Sequence, residues 1–171
     1  MKEVQNDFDD IAYSSKNYIE YNHKDEADYN KALADSLNAK CYDADLITLA
    51  GYDRIELCDV LTKEGDFIHV KKYAGSSVLS HLFNQGLVSG ELLKNNSRFK
   101  EKAEEKINRK LDELNGKKII FGIITKKYDN FNMPFFSKVS LNNVRRRLIG
   151  FGYEVEVAKI KNIKPESSKN E

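Results

Sequence analysis

Residues 51–73 read GYDRIELCDVLTKEGDFIHVKKY. Two β-branched, partly alternating runs, RIELCDVLT and FIHVKKY, flank KEGD, and that order predicts a hairpin. A hairpin in the middle of a fold should be mostly apolar, yet this one keeps Asp53, Glu56, Asp59, His69 and Lys71. His69 and Lys71 are two apart, so they share a face. With a loop at 64–66, residue 59 lies opposite residue 71, and Asp53, of the same parity, points to that face as well. A loop one residue shorter or longer would instead set Cys58 opposite Lys71. An acid across from a lysine reads in two ways. It is a cross-strand ion pair at a solvent edge, or it is a divalent-metal site for phosphodiester hydrolysis, with the lysine steadying charge on the phosphoryl group.

The flanking segments set the fold class. Upstream, DEADYNKALADSLNA (25–39) repeats Tyr29, Leu33 and Leu37 at helical spacing, with acids in its first turn. AKCYDADLITL (39–49) reads as one strand, with Asp43 and Asp45 near its start, and joins the hairpin in a three-strand meander. Downstream, Gly75-Ser76-Ser77 opens a helix over VLSHLFNQGLVSGELL, with serine as its N-cap. NSRFKEKAEEKINRKLDEL predicts a second helix, ended by Asn115-Gly116. KKIIFGIIT reads as a strand buried on both faces. KKYDNFNMPFF reads as a loop, SLNNVRRRLIGFGY as a helix capped by Ser140, and YEVEVAKI as a last strand. The expected fold is α/β: a mixed central sheet built as helix, three-strand meander, helices, strand, helix, strand, with helices on both faces. Residues 1–24 form an N-terminal arm or short helix, 25–163 the domain, and 164–171 a disordered tail.

Composition removes several function classes. The chain has 171 residues, 40% hydrophobic, with 9 Tyr and 9 Phe, which is too apolar for global disorder. No apolar run approaches the roughly 20 residues needed to cross a bilayer, so no membrane role is expected. The acidic start, MKEVQNDFDDIAYSS, lacks the apolar core of a signal peptide. Cys41 and Cys58 make neither a disulfide framework nor a zinc site, which fits a reducing cytoplasm. The net charge of +1 hides an asymmetry: residues 1–60 carry 6 basic and 14 acidic side chains, residues 61–171 carry 22 and 13. An acidic part suits divalent cations and a basic part suits polyanion phosphates. Opposite halves of neighbouring copies would also attract, which leaves a homo-oligomer open.

The basic half offers nucleic-acid contacts. Ser76 and Ser77 stand at a helix start, where free backbone N–H groups bind phosphate. Ser77, His81 and Gln85 make one polar stripe that would line a cleft beside Lys71 and Lys72; the plainer reading is a cap and a solvent face. Lys126 and Lys127 interleave with Tyr128, Phe131, Phe135 and Phe136, a pattern that holds phosphates and stacks on bases. The plainer reading, preferred for Phe135 and Phe136, packs them on the core. Of Arg145, Arg146 and Arg147, one or two are expected to contact phosphates or acids.

Gly51-Tyr52-Asp53 followed by His69-Val70-Lys71-Lys72-Tyr73 resembles the Mrr-like branch of the PD-(D/E)xK, or restriction-endonuclease-like, superfamily. That resemblance implies a restriction-endonuclease-like core and Mg²⁺- or Mn²⁺-dependent hydrolysis of DNA. It implies metal ligands from Asp59, Asp53, His69 and Glu26, with Lys71 completing the catalytic set. This chain has His69 where the pattern has Glu, Asp or Gln, so an inactive nucleic-acid-binding module on the same scaffold is the alternative, as is an assembly domain. The strings YNKALA, IELCDVLT, FIHVKKYAGSSVLSHLFNQGLVSGELL and MPFFSKVSLNNVRRRLIGFGYEV resemble the C-terminal region of a sporadically distributed bacterial family of mobile-element and phage-defence neighbourhoods. Members of that family are longer, which implies that this chain is one domain or a shortened copy.

Overall fold

The computed structural model describes residues 11–51 and 54–167. In chain order the elements are α1 (Glu26–Ser36), β1 (Lys40–Cys41), β2 (Leu46–Ile47), β3 (Ile55–Glu56), β4 (Val60–Leu61) and β5 (Phe67–Lys72). They continue with α2 (Ser76–Asn95), α3 (Ser97–Ile107), β6 (Lys118–Thr125), α4 (Phe135–Gly150) and β7 (Glu154–Lys161). The five-stranded sheet runs β1-β4-β5-β6-β7, while β2 and β3 form a separate two-stranded ribbon. The first three strands of the large sheet are antiparallel, and β5, β6 and β7 are parallel. This is the expected α/β architecture with a mixed sheet.

Each face of the sheet has its own apolar layer. Val60, Ile68, Val70, Ile120, Ile124 and Ile160 pack beneath Tyr29 and Leu33 of α1. Leu61, Phe67, Ile119, Phe121 and Ile123 pack under α2, α3 and α4 on the other side. Residues of opposite parity on β5 therefore serve opposite layers. Residues 11–24 run along the outer edge of β7: Ser14 N–H donates to the Val157 carbonyl and Tyr21 N–H to the Lys161 carbonyl. An edge strand is shielded in this way. Lys164 Nζ donates to the His23 and Lys24 carbonyls, so the start of the expected disordered tail is tied down. Among the described residues no helix is long and apolar enough to cross a membrane.

The meander departs from the expected pattern in three places. The hairpin loop is 63–65 rather than 64–66. Thr62 N–H donates to the Asp66 carbonyl, Asp66 N–H to Thr62 Oγ1, and Gly65 takes φ +100°, a conformation glycine supplies cheaply. Val60 then pairs with Ile68, which sets residue 59 level with residue 69, not 71. The expected strand 54–62 is two strands, because the Asp59 carboxylate takes the Val70 N–H in place of the backbone ladder. The expected strand 39–49 is also two, broken by a turn in which Asp45 N–H donates to the Tyr42 carbonyl and Ala44 has φ +59°.

Helix ends differ as well. Gly75, not a serine, precedes α2, and Ser76 instead shares a 2.8 Å hydrogen bond with Ser137. Asn108 in the left-handed region stops α3 well before Asn115. Helix α4 begins at Phe135 after Pro134, five residues before Ser140.

Gly86 sits where α2 presses on the sheet. A Cβ there would stand 2.5 Å from Phe121 Cε1, a ring that is fully buried. Alanine in an exposed helix gains about 1 kcal/mol over glycine. Here the clash wins, and Gly86→Ala should cost about 1–3 kcal/mol. Urea denaturation measures this; an unchanged or raised midpoint would show that the helix can lift off the sheet freely.

Candidate metal centre

Helix α1, the β1–β2 turn, β3, the β3–β4 segment and the end of β5 together supply the site. Asp25 caps α1 by accepting from Asp28 N–H at 2.8 Å, which fixes the helix start. Glu26 and Asn30, one turn apart, then share a face. Glu26 Oε1 accepts from Lys72 N–H at 3.3 Å, and its Oε2 stands 3.9 Å from Lys71 Nζ. Asn30 is only 2% exposed and donates from Nδ2 to Asp43 Oδ2 at 3.3 Å, while its buried Oδ1 has no hydrogen-bond partner among the described residues.

The other acids arrive by backbone pairing. Tyr42 N–H donates to the Asp59 carbonyl, which draws the turn holding Asp43 against Asp59. Pairing of Leu46 with Glu56 brings Glu56 over the same turn, where its Oε2 accepts from Ala44 N–H at 3.2 Å. The ribbon is pinned from outside: Lys102 Nζ donates to the Thr48 carbonyl and Lys106 pairs with Asp45. Ser89 Oγ of α2 holds the Leu57 carbonyl at 2.7 Å, fixing the segment between Glu56 and Asp59.

One oxygen from each of Asp43, Glu56 and Asp59 lies within 4.8 Å of the others. Asp59 is 6% exposed, and its Oδ2 accepts from Val70 N–H at 2.6 Å. Burial, then the Glu56 carboxylate beside it, pushes the Asp59 carboxyl up to about 9. Such an acid holds its proton at neutral pH unless a cation takes the proton's place. Hard carboxylate and amide oxygens at this spacing suit Mg²⁺ or Mn²⁺. The orphaned Asn30 Oδ1 fits the same need: a buried acceptor without a donor is costly, and a cation would satisfy it.

The structure brings together Asp59, Lys71, Lys72 and Glu26 from the sequence reading and adds Asp43, Glu56 and Asn30. Asp53 lies outside the described residues. His69 is 2% exposed, its ring 6.1 Å from Phe121, and burial lowers it to about 4. It is therefore neutral, and it is not one of the three clustered groups. Cys58 is fully buried, which holds its thiol well above the ordinary value.

Among the phosphate candidates, Ser77 and His81 are exposed on α2 and Gln85 is half-buried. Lys126 and Lys127 are exposed beyond the end of β6, and Lys126 meets Glu166 at 3.2 Å. Arg145 and Arg146 are exposed about 15 Å down α4 from its start. Arg147 pairs with Glu91 at 2.7 Å, the acid contact expected of one arginine in the run. Phe135 and Phe136 do not pack on the core: they are 56% and 76% exposed, and Met133 fills the core beside them instead.

One family model matches residues 1–161, described as a family of unknown function, DUF6119. No curated protein and no solved structure matches the chain.

Proposed function

The chain belongs to the DUF6119 family of unknown function, and from its acidic cluster we propose that it is a metal-dependent phosphodiester hydrolase acting on DNA. The observation that carries this reading is the Asp43–Glu56–Asp59 cluster beside the orphaned Asn30 oxygen. Asp43, Glu56, Asp59 and Asn30 would hold Mg²⁺ or Mn²⁺. Bound there, the cation would polarise a phosphoryl oxygen and lower the pKa of a water. The backbone of Val70 orients Asp59, and Lys71 follows it on the same strand. Lys71 supplies positive charge for the developing phosphoryl oxyanion, and Glu26 holds that ammonium at the strand end meanwhile. The order of helix, antiparallel meander, helix and parallel strand also supports a restriction-endonuclease-like core.

Titrating Mn²⁺ into the full chain should raise its melting temperature saturably, and Mg²⁺ or Mn²⁺ should support cleavage of plasmid or single-stranded DNA. Absence of both a thermal shift and hydrolysis with either cation sinks the proposal. A second reading, a DNA-binding module that has lost catalysis, is favoured by one observation: the residue two before Lys71 is a core histidine rather than an acid. That reading expects salt-sensitive binding and no cleavage.

A further inference from the structure

The parallel strands β5 and β6 end beside two helix starts. Ser76 and Ser137 are hydrogen-bonded at 2.8 Å, and one turn on Ser80 and Ser140 meet at 3.3 Å. Helices α2 and α4 therefore begin side by side, and their serines hold them in register. Tyr73, the residue after β5, packs its ring edge-on to Phe131 at 5.1 Å. The start of α4 is thus tied to the strand end that carries Lys71 and Lys72. In sheets of this kind, ligands bind outside the carboxyl ends of parallel strands.

At this edge Phe136 is 76% exposed and Phe135 56% exposed, with ring centroids 5.7 Å apart in an edge-to-face pair. Among the described residues they are the two most exposed large hydrophobics. Pro134 precedes them and sets the helix entry, while Met133 is buried, so the chain turns its methionine in and its phenylalanines out. Lys126 and Lys127 are exposed at the start of the β6–α4 connection that ends in these rings, and Lys126 meets Glu166 at 3.2 Å. Exposed rings on a connection that also carries lysines, tied through Tyr73 to the strand that carries Lys71 and Lys72, match the kind of surface that grips unpaired bases by stacking and their backbone by charge. A protein partner would be expected to meet a broader apolar groove; a duplex keeps its base faces stacked away from such a pair.

We propose that Phe135 and Phe136 form a base-stacking platform and that the substrate of the neighbouring site is single-stranded, or locally unpaired, DNA. This rests on the hydrolase reading for its reaction and on the aromatic pair for its specificity.

Fluorescence anisotropy with a labelled single-stranded oligonucleotide, in EDTA so that no cleavage intervenes, tests it. Phe136→Ala should weaken single-strand binding about 5- to 150-fold, the range for losing one stacked base, and leave duplex binding unchanged. The sequence has no tryptophan, so F136W supplies a lone indole that should retain affinity and be quenched on binding. Single-strand binding equal to wild type in Phe136→Ala overturns the platform, as does no single-strand binding by the wild type. Binding by F136W that is lost, or that occurs without quenching of the indole, overturns it as well. Weakened binding in Phe136→Ala with no metal-dependent cleavage by the wild type would uphold the platform and sink the hydrolase; cleavage with unaltered binding would do the reverse.

Discussion

Asp59→Asn should make the metal-free protein more stable at pH 8.5 while removing its affinity for Mg²⁺ and Mn²⁺. Asp59 titrates near 9 in the folded protein against an ordinary 3.8, raised first by burial and then by Glu56. His69 titrates near 4 against 6.5, lowered by burial. Between about pH 4 and 6.5 the folded chain keeps one proton on Asp59, and the unfolded chain carries one on His69. The counts match, so stability should be flat there. Above pH 6.5 the unfolded chain has lost both protons and the folded chain still holds one. Stability then falls at about 1.4 kcal/mol per pH unit, or about 3 kcal/mol by pH 8.5.

The asparagine variant has no proton to hold, and its side-chain oxygen still accepts from Val70 N–H. It should be flat above pH 6.5 and lose stability only as His69 of the unfolded chain charges below that. Urea denaturation in EDTA at pH 6.5 and 8.5 measures both slopes. At Mn²⁺ about 1,000 times Kd the ranking should reverse, since such a ligand adds about 4.1 kcal/mol to the wild type alone. A wild-type stability that rises from pH 6.5 to 8.5 in EDTA would contradict this account of Asp59.

The same residue shows why the fold was easier to read than the site. Helix α1, helix α2 and strands β6 and β7 each carry their periodicity within themselves, so LADSLNA, VLSHLF, KIIFGIIT and EVEVAKI announce their elements. The meander does not. Its strands β1 to β4 are two residues each, and side chains decide their limits: Asp59 takes a backbone N–H, and Thr62 fixes the loop. A pattern of alternating residues says nothing of a carboxylate that replaces a ladder bond.

Glu26, Asp59 and Lys71 were legible because spacing and resemblance pointed at them. Asp43 carried no such pointer, and Glu56 stood out only as an acid in a hairpin expected to be apolar. They meet only through the pairing of Leu46 with Glu56, a ribbon that lies outside the main sheet. The available signal was the surplus of acids in residues 39–59, where Asp43 and Asp45 stand in what otherwise reads as a strand. Phe135 and Phe136 read as core for a related reason: Pro134 hides that they open a helix, and two adjacent rings of a helix cannot both face the core.

Lys71→Ala should lower the cleavage rate about 10²- to 10³-fold, the loss typical of removing one group that stabilises transition-state charge. The lysine stands on β5, one residue beyond the Val70 amide that holds Asp59, and its Nζ is 3.9 Å from Glu26 Oε2. Both side chains of that pair are about one-third exposed, at 34% and 33%. A solvated pair of this kind is worth well under ~1 kcal/mol, so the variant should fold normally. Its ammonium is not among the oxygens that would hold the cation, so Mn²⁺ affinity by calorimetry should change little. The expected pattern is therefore a fall in kcat with an unchanged metal affinity and an unchanged melting temperature. Lys71→Arg restores the charge but replaces a compact ammonium with a planar fork, and should recover only part of the rate. A structural role for Lys71 would move the melting temperature instead. A variant that cleaves at the wild-type rate would take Lys71 out of the chemistry and leave the acidic cluster as a metal site without a hydrolase around it.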